Sequence, residues 1–157
     1  MDVSTKNEMI ILIEKVKSIV ISAINSNGIP IIKSVTKLGN DDLNSLYFCT
    51  SPDSDFWKWY VKNPKTSVLL FDDDPNIHYP SADEKYYSLS LIGQMEVVLD
   101  VETKQRFFSD YLAAFFPDGV NDKNYHLIRF VVQSGKYYRG VTDNFLSIDF
   151  TSDELVN

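Results

Sequence analysis

Residues 48–71 constrain the fold more than any other part of the chain. Phe48-Cys-Thr-Ser51 reads as a strand ending in small hydroxyl residues, and Ser54 reads as the cap of a short helix over 55–62. Asn63-Pro64 stops that helix, and Lys65 to Phe71 is a second apolar strand. A strand–turn–helix of this kind presents hydroxyls and unbonded backbone N–H groups at a helix N-terminus, where an anion is favoured. The pattern suits a phosphate-bearing cofactor.

The flanking sequence supplies more strands. Thr5-Lys-Asn-Glu8 matches a capping box, and Met9, Ile10, Ile13 and Val16 continue at helical spacing, predicting a helix from about Thr5 to Lys17. Ser18 to Ile24 alternates and is β-branched, Asn25-Ser-Asn-Gly28 is a hairpin turn, and Ile29 to Lys37 is the return strand. Gly39 to Asp42 predicts a turn before a strand over 46–50, and Asp72 to Asn76 a loop. Tyr86 to Leu99 is a long strand with a bulge expected at Gly93. Asp100 caps a second helix with Val101, Phe107, Phe108, Tyr111, Leu112 and Phe115 on its apolar face, ended by Pro117-Asp-Gly119. Leu127 to Tyr138 returns to the sheet, and Phe145 to Phe150 is a last short strand. Hairpin-linked strands in this number should roll up, because closure removes exposed edges. The expected fold is mainly β (α+β), a small antiparallel barrel with flanking helices, in one domain over 1–157.

Composition excludes several function classes. A net charge of −7 argues against a nucleic-acid partner, which needs a basic face. No apolar run approaches the roughly 20 residues that span a bilayer, and the N-terminus lacks a signal-peptide pattern. Cys49 is the only cysteine, so an intramolecular disulfide and a thiolate metal cage are excluded and a reducing, cytoplasmic setting is expected. His78 and His126 lack the spacing of a metal pair, Asp72-Asp-Asp74 lacks the rest of a calcium loop, and no metal site is expected. No serine–histidine–acid order, P-loop or dinucleotide fingerprint is present, and no catalytic side chain stands out.

Five groups of residues, in order along the chain, carry a resemblance. They are Asn27-Gly-Ile-Pro30; Leu46-Tyr-Phe-Cys-Thr-Ser51 leading to Ser54; Lys62-Asn-Pro-Lys65; Leu91-Ile-Gly-Gln-Met-Glu-Val97; and Phe116-Pro-Asp-Gly119 before Asn124-Tyr125 and Leu127-Ile-Arg-Phe130. From about Ile10 to Tyr138 the chain resembles the pyridoxamine-5′-phosphate-oxidase-like FMN-binding split barrels, especially the general-stress-protein branch. The resemblance implies a split barrel and a homodimer with FMN in each of two clefts between subunits. It also implies a phosphate held by a basic residue on the second strand, by the Thr-Ser pair, and by a serine followed by basic residues. Carried onto this chain, the cofactor-binding candidates are Lys33 with its neighbours Ser34 and Val35, then Thr50, Ser51 and Ser54, with Lys58 or Lys65 as a further source of charge.

The chain departs from that pattern where the basic residues should follow the serine, at Asp55 and Phe56. A carboxylate about 4 Å from a phosphate is repulsive by about 1 kcal/mol in bulk-like dielectric, and by several times that when partly buried. At the first turn of a helix, the same carboxylate favours the dipole. Ser88 stands where related oxidases carry a glutamine that contacts the flavin, and Tyr137 and Tyr138 lie where relatives carry an aromatic near the cleft.

Each candidate also has a plain structural reading. Lys33 can be a strand residue facing solvent; Thr50, Ser51 and Ser54 can simply make a turn and a cap. Phe56, Trp57, Trp59 and Tyr60 fit a core or dimer face as well as a stacking platform. Cys49 fits a small buried side chain rather than a nucleophile. The resemblance implies a flavin-dependent oxidoreductase of unspecified substrate, in which FMN carries the electrons and the protein supplies position and access. The alternative is a non-enzymatic dimeric module that has lost flavin or binds another small molecule. A third reading is haem or a deazaflavin in the same cleft, with His78 or His126 as haem ligand.

Overall fold

The computed structural model describes residues 3–72, 87–139 and 145–149. Alternation of apolar residues sets its strands. In β1 (Ser18–Ile24), Ile19, Ile21 and Ala23 are buried while their neighbours are not, and β1 pairs antiparallel with β2 (Pro30–Thr36). The turn between them has the expected chemistry: Gly28 has φ +77°, and the Asn25 side chain accepts from the amides of Asn27 and Ile29.

β3 (Gly39–Asp41) and β4 (Ser45–Thr50) follow, then α2 (Asp55–Lys62), β5 (Lys65–Phe71) and β6 (Tyr87–Val97), with α1 (Val3–Lys15) preceding β1. β7 (His126–Arg139) and β8 (Phe145–Asp149) complete an eight-stranded sheet of order β2-β1-β5-β6-β7-β4-β3, with β8 added on β7. The sheet curls into an antiparallel half-barrel, the split-barrel architecture expected. The bulge is where Gly93 placed it: the β6–β7 register shifts between Ile92 and Gly93.

The core lies inside the curl, where Met9, Leu12 and Ile13 of α1 meet Ile19, Leu46, Phe48, Leu89, Leu91 and Phe130. A second cluster, Tyr47, Val98, Leu112, Tyr125 and Leu127, occupies the other face of β4 and β7. It is covered by α3 (Val101–Phe107) and α4 (Asp110–Ala113).

Three local expectations are corrected. The Thr5–Glu8 capping box does not form: α1 begins at Val3, Thr5 is buried, and the Glu8 carboxylate accepts from Arg139 at 2.6 Å and Tyr137 at 3.1 Å. A charged bond to a distant strand outcompetes a local cap. Residues 39–41 pair with Tyr47, Leu46 and Ser45 as an edge strand, so the turn moves to Asp42–Asn44, where Asp42 takes φ 46°. Asp41 is held there by Arg106 at 2.7 Å and by the Tyr47 hydroxyl at 2.6 Å. The second helix breaks at Phe108, which is extended. Phe107 stacks on Tyr47 at 4.2 Å and Phe108 packs edge-on to Tyr125 at 5.3 Å, leaving Val101, Tyr111 and Phe115 exposed. The change of backbone from helical at Phe107 to extended at Phe108 lets both rings join the second cluster. Of the remaining expectations, the Asp72–Asn76 loop (beyond Asp72), Tyr86, Phe150 and His78 lie outside the described residues.

Lys37 is almost fully buried, 5% exposed, with its ammonium donating to Asn40 Oδ1 at 2.9 Å. Burial lowers its pKa from 10.5 to about 8, Lys17 adds to the shift and Glu14 opposes it. The folded state therefore holds fewer protons than the unfolded state across that window, so stability should rise as pH increases from 8 to 10.5. Urea unfolding of wild type against Lys37→Met should isolate this rise. Parallel pH profiles for the two proteins would contradict it.

Candidate functional site

β4 ends at Thr50, and Ser51-Pro-Asp-Ser54 turns the chain into α2. Ser54 is extended (φ −66°, ψ 142°), and its Oγ accepts from the Trp57 amide at 3.2 Å, as the sequence predicted for a cap. The same oxygen lies 2.9 Å from Thr50 Oγ1, and Ser51 Oγ accepts from the Asp53 amide at 3.3 Å. Removing the cap by Ser54→Ala should cost about 1 kcal/mol in urea denaturation. A loss below about 0.3 kcal/mol would show that tertiary contacts alone hold α2.

Those contacts are substantial. Tyr60 is buried and donates to the Ser22 carbonyl at 3.0 Å, tying α2 to β1. Phe56, Trp57 and Trp59 pack against the main core while staying partly accessible. Phe56 meets Trp59 at 5.2 Å and Tyr60 at 6.1 Å, the second being a four-residue pair legible in the sequence.

Alternation along β2 separates the three neighbouring candidates. Val35 packs against the core, and Lys33, on the same face, places Nζ 4.4 Å from the centre of the Phe56 ring. Ser34 is exposed on the opposite face with Ile32. Burial holds the Lys33 pKa below the ordinary lysine value, with Cys49 opposing the shift. Lys58 is exposed and paired with Asp55 at 3.4 Å. Lys33 and Thr50 thus both meet the start of α2, Lys33 at Phe56 and Thr50 at the Ser54 cap. Ser34 points away, and Ser51 and Lys58 lie at the solvent margin.

One residue acquires a place that its sequence context did not reveal. His126 is the cross-strand partner of Thr50, and its ring meets Trp57 edge-on at 5.6 Å. Its Nδ1 is buried without a hydrogen-bond partner, and burial, helped by Lys104, holds its pKa below the ordinary value. A neutral imidazole follows. Only the β4–β7 register brings it here. Cys49 on the adjoining position has its thiol pKa raised by burial, so it is a protonated packing group.

Hollows among the described residues lie elsewhere. A cleft of about 230 Å³ is lined by Glu8, Ile11, Lys15, Asp72, Tyr87 and Tyr137. A groove of about 440 Å³ on the outer sheet face is lined by Ser90, Ile92, Lys136, Tyr138 and Ser147 among others. Neither includes a phosphate candidate. Among the described residues no group of three metal-ligating side chains occurs, and no helix is long and apolar enough to cross a membrane.

The sequence model of the family described as pyridoxamine 5′-phosphate oxidase like matches residues 4–151. The chain belongs to that family. Solved structures agree on the fold. A protein related to general stress protein 26 from Clostridium acetobutylicum is 24% identical over 96% of this chain and 97% of its own, with TM-score 0.78. General stress protein 26 from Bacillus anthracis is 22% identical over 92% and 98%, with TM-score 0.67. A heme binding protein from Mycobacterium smegmatis is 14% identical over 95% of this chain and 59% of its own, with TM-score 0.72. At these identities the likeness establishes the fold alone. No curated protein matches the sequence at a significant level.

Proposed function

We propose that this pyridoxamine 5′-phosphate oxidase like protein binds a flavin, FMN in the first instance, and serves as a flavin-dependent oxidoreductase. One observation carries the reading: Lys33 from β2 and the Thr50–Ser54 hydroxyl pair both contact the capped start of α2. Hydroxyls and a helix N-terminus suit an anion, and partly accessible Phe56, Trp57 and Trp59 suit a planar ring. The Asp55 carboxylate opposes a phosphate at the same place, so the ring side of the site fits a flavin better than the phosphate side does.

A bound flavin would supply the redox chemistry. Lys33 and Val35 would border it from β2, Thr50 and Ser54 from β4 and the α2 cap, and no side chain is needed as general acid or base. The proposal includes a homodimer. Its support is the outer sheet face, where Ile32 of β2 and Ile92 of β6 are 69% and 55% exposed and Ile92 lines the larger groove. A lone cysteine held as a thiol fits a cytoplasmic setting.

Titrating the purified chain with FMN, followed by quenching of flavin fluorescence, should give a dissociation constant of about 10 µM or tighter. No quenching up to about 100 µM FMN would defeat the reading. The second reading, a split-barrel module without flavin, is favoured by Asp55 and Phe56 in place of basic residues and predicts that null titration with an intact dimer.

A further inference from the structure

We propose that residues 22–32, the distal half of the β1–β2 hairpin, form a flap that opens apart from global unfolding and parts β1 from β5 and α2. Its hinge is the cross-strand pair Ile21 and Lys33.

The sheet is weakest along this seam. β1 pairs with β2 from Ser18 to Ile24, and β5 with β6 from Lys65 to Phe71, but β1 and β5 pair only at Val20–Leu69 and Ile21–Val68. Beyond Ile21 the backbone ladder stops and hydroxyls take its place. Ser22 Oγ accepts from the Ser67 amide at 3.3 Å and donates to the Ser67 carbonyl at 3.2 Å. The Thr66 and Ser67 hydroxyl oxygens each lie 3.0 Å from it. The Ser22 carbonyl accepts from Thr66 Oγ1 and, at 3.0 Å, from the Tyr60 hydroxyl of α2. Side chains of Ser22, Tyr60, Thr66 and Ser67 thus latch the hairpin where a continuous sheet would carry on its backbone rungs.

Little else holds this half down. Of residues 22–32 only Ala23 is buried, and Ile24, Ile29 and Ile32 are exposed. Among the described strands β2 ends the sheet, so none covers the flap on its far side. The proximal half differs: Ile19 and Ile21 are fully buried in the main core, and Val35 packs against it. Opening of the distal half therefore uncovers one small buried side chain and exchanges latch bonds for bonds to water. Segments with so few buried apolar contacts open below the free energy of global unfolding. The Tyr60–Ser22 bond passes the flap's state to α2, which on opening loses a tie to β1 while keeping its Ser54 cap.

The test is native-state hydrogen exchange of the full chain, followed amide by amide by NMR. After correction for intrinsic rates, the wild-type Ser67 amide should exchange at least about 100-fold faster than those of Leu89 and Leu91 in β6. Low urea should accelerate it far less than them, because the flap exposes little surface. Tyr60→Phe keeps the buried ring and leaves the Ser67–Ser22 bond in place, and it should speed Ser67 exchange by about fivefold. Equal protection at Ser67 and in β6 would overturn the proposal, since the hairpin would then open only with the whole sheet. Ser67 exchange unmoved by Tyr60→Phe would also overturn it, since that amide would then fray alone rather than with a latched unit.

Discussion

Phe48→Ala is expected to destabilise the fold by about 3–5 kcal/mol. The ring is 0% exposed in β4, opposite Ile128, among Leu46, Phe130 and the apolar face of α1. Truncation removes the phenyl group's transfer energy and leaves a cavity that sheet hydrogen bonds on both sides prevent from collapsing. Since a domain holds only about 5–15 kcal/mol in total, the loss should be visible as a large drop in urea midpoint. Phe48 also lies two residues before Thr50 on the same face of the strand, so its removal loosens the strand end that presents the hydroxyl pair. A destabilisation below about 1 kcal/mol would mean that α1 settles into the vacated space.

Gly93→Ala is the second large effect, expected at about 2–3 kcal/mol from the insertion of one methyl group. A Cβ at this position would collide with the Val131 carbonyl oxygen and lie 2.9 Å from the Phe130 ring. The carbonyl is backbone within the β6–β7 ladder, at the point where the register shifts, and it cannot rotate away as a side chain could. Gly28→Ala provides the contrast. Space there is open, and only the φ of +77° resists a side chain, so a cost of about 1 kcal/mol is expected. If the two variants unfold at the same urea concentration, the close approach at Gly93 is not what the bulge requires.

How much of this was legible in the chain depends on where the deciding interaction lies. The β1–β2 hairpin was readable because Asn25 and Gly28 satisfy the turn within five residues. The Ser54 cap and the eight-residue α2 were readable for the same reason, as was the bulge at Gly93. The failures share the opposite cause. Glu8 left its local cap for Arg139, residues 39–41 became a strand once Arg106 and Tyr47 engaged Asp41, and α3 ended early so that Phe107 and Phe108 could both pack. In each case a partner far along the chain outweighed a local preference of about 1 kcal/mol.

The candidate site divides along the same line. Hydroxyls at Thr50, Ser51 and Ser54, the aromatic run and the misplaced charge of Asp55 were all visible in one contiguous stretch, and with them a split barrel of this family. Contacts made only across the fold decided the rest. The curl of the sheet carries Lys33 onto Phe56, the alternation of β2 turns Ser34 away, and the β4–β7 register sets His126 opposite Thr50. Local bonding is written in neighbouring residues because they are always close. Cross-strand register is not, because it is fixed by the simultaneous burial of residues that meet only when the whole sheet has closed.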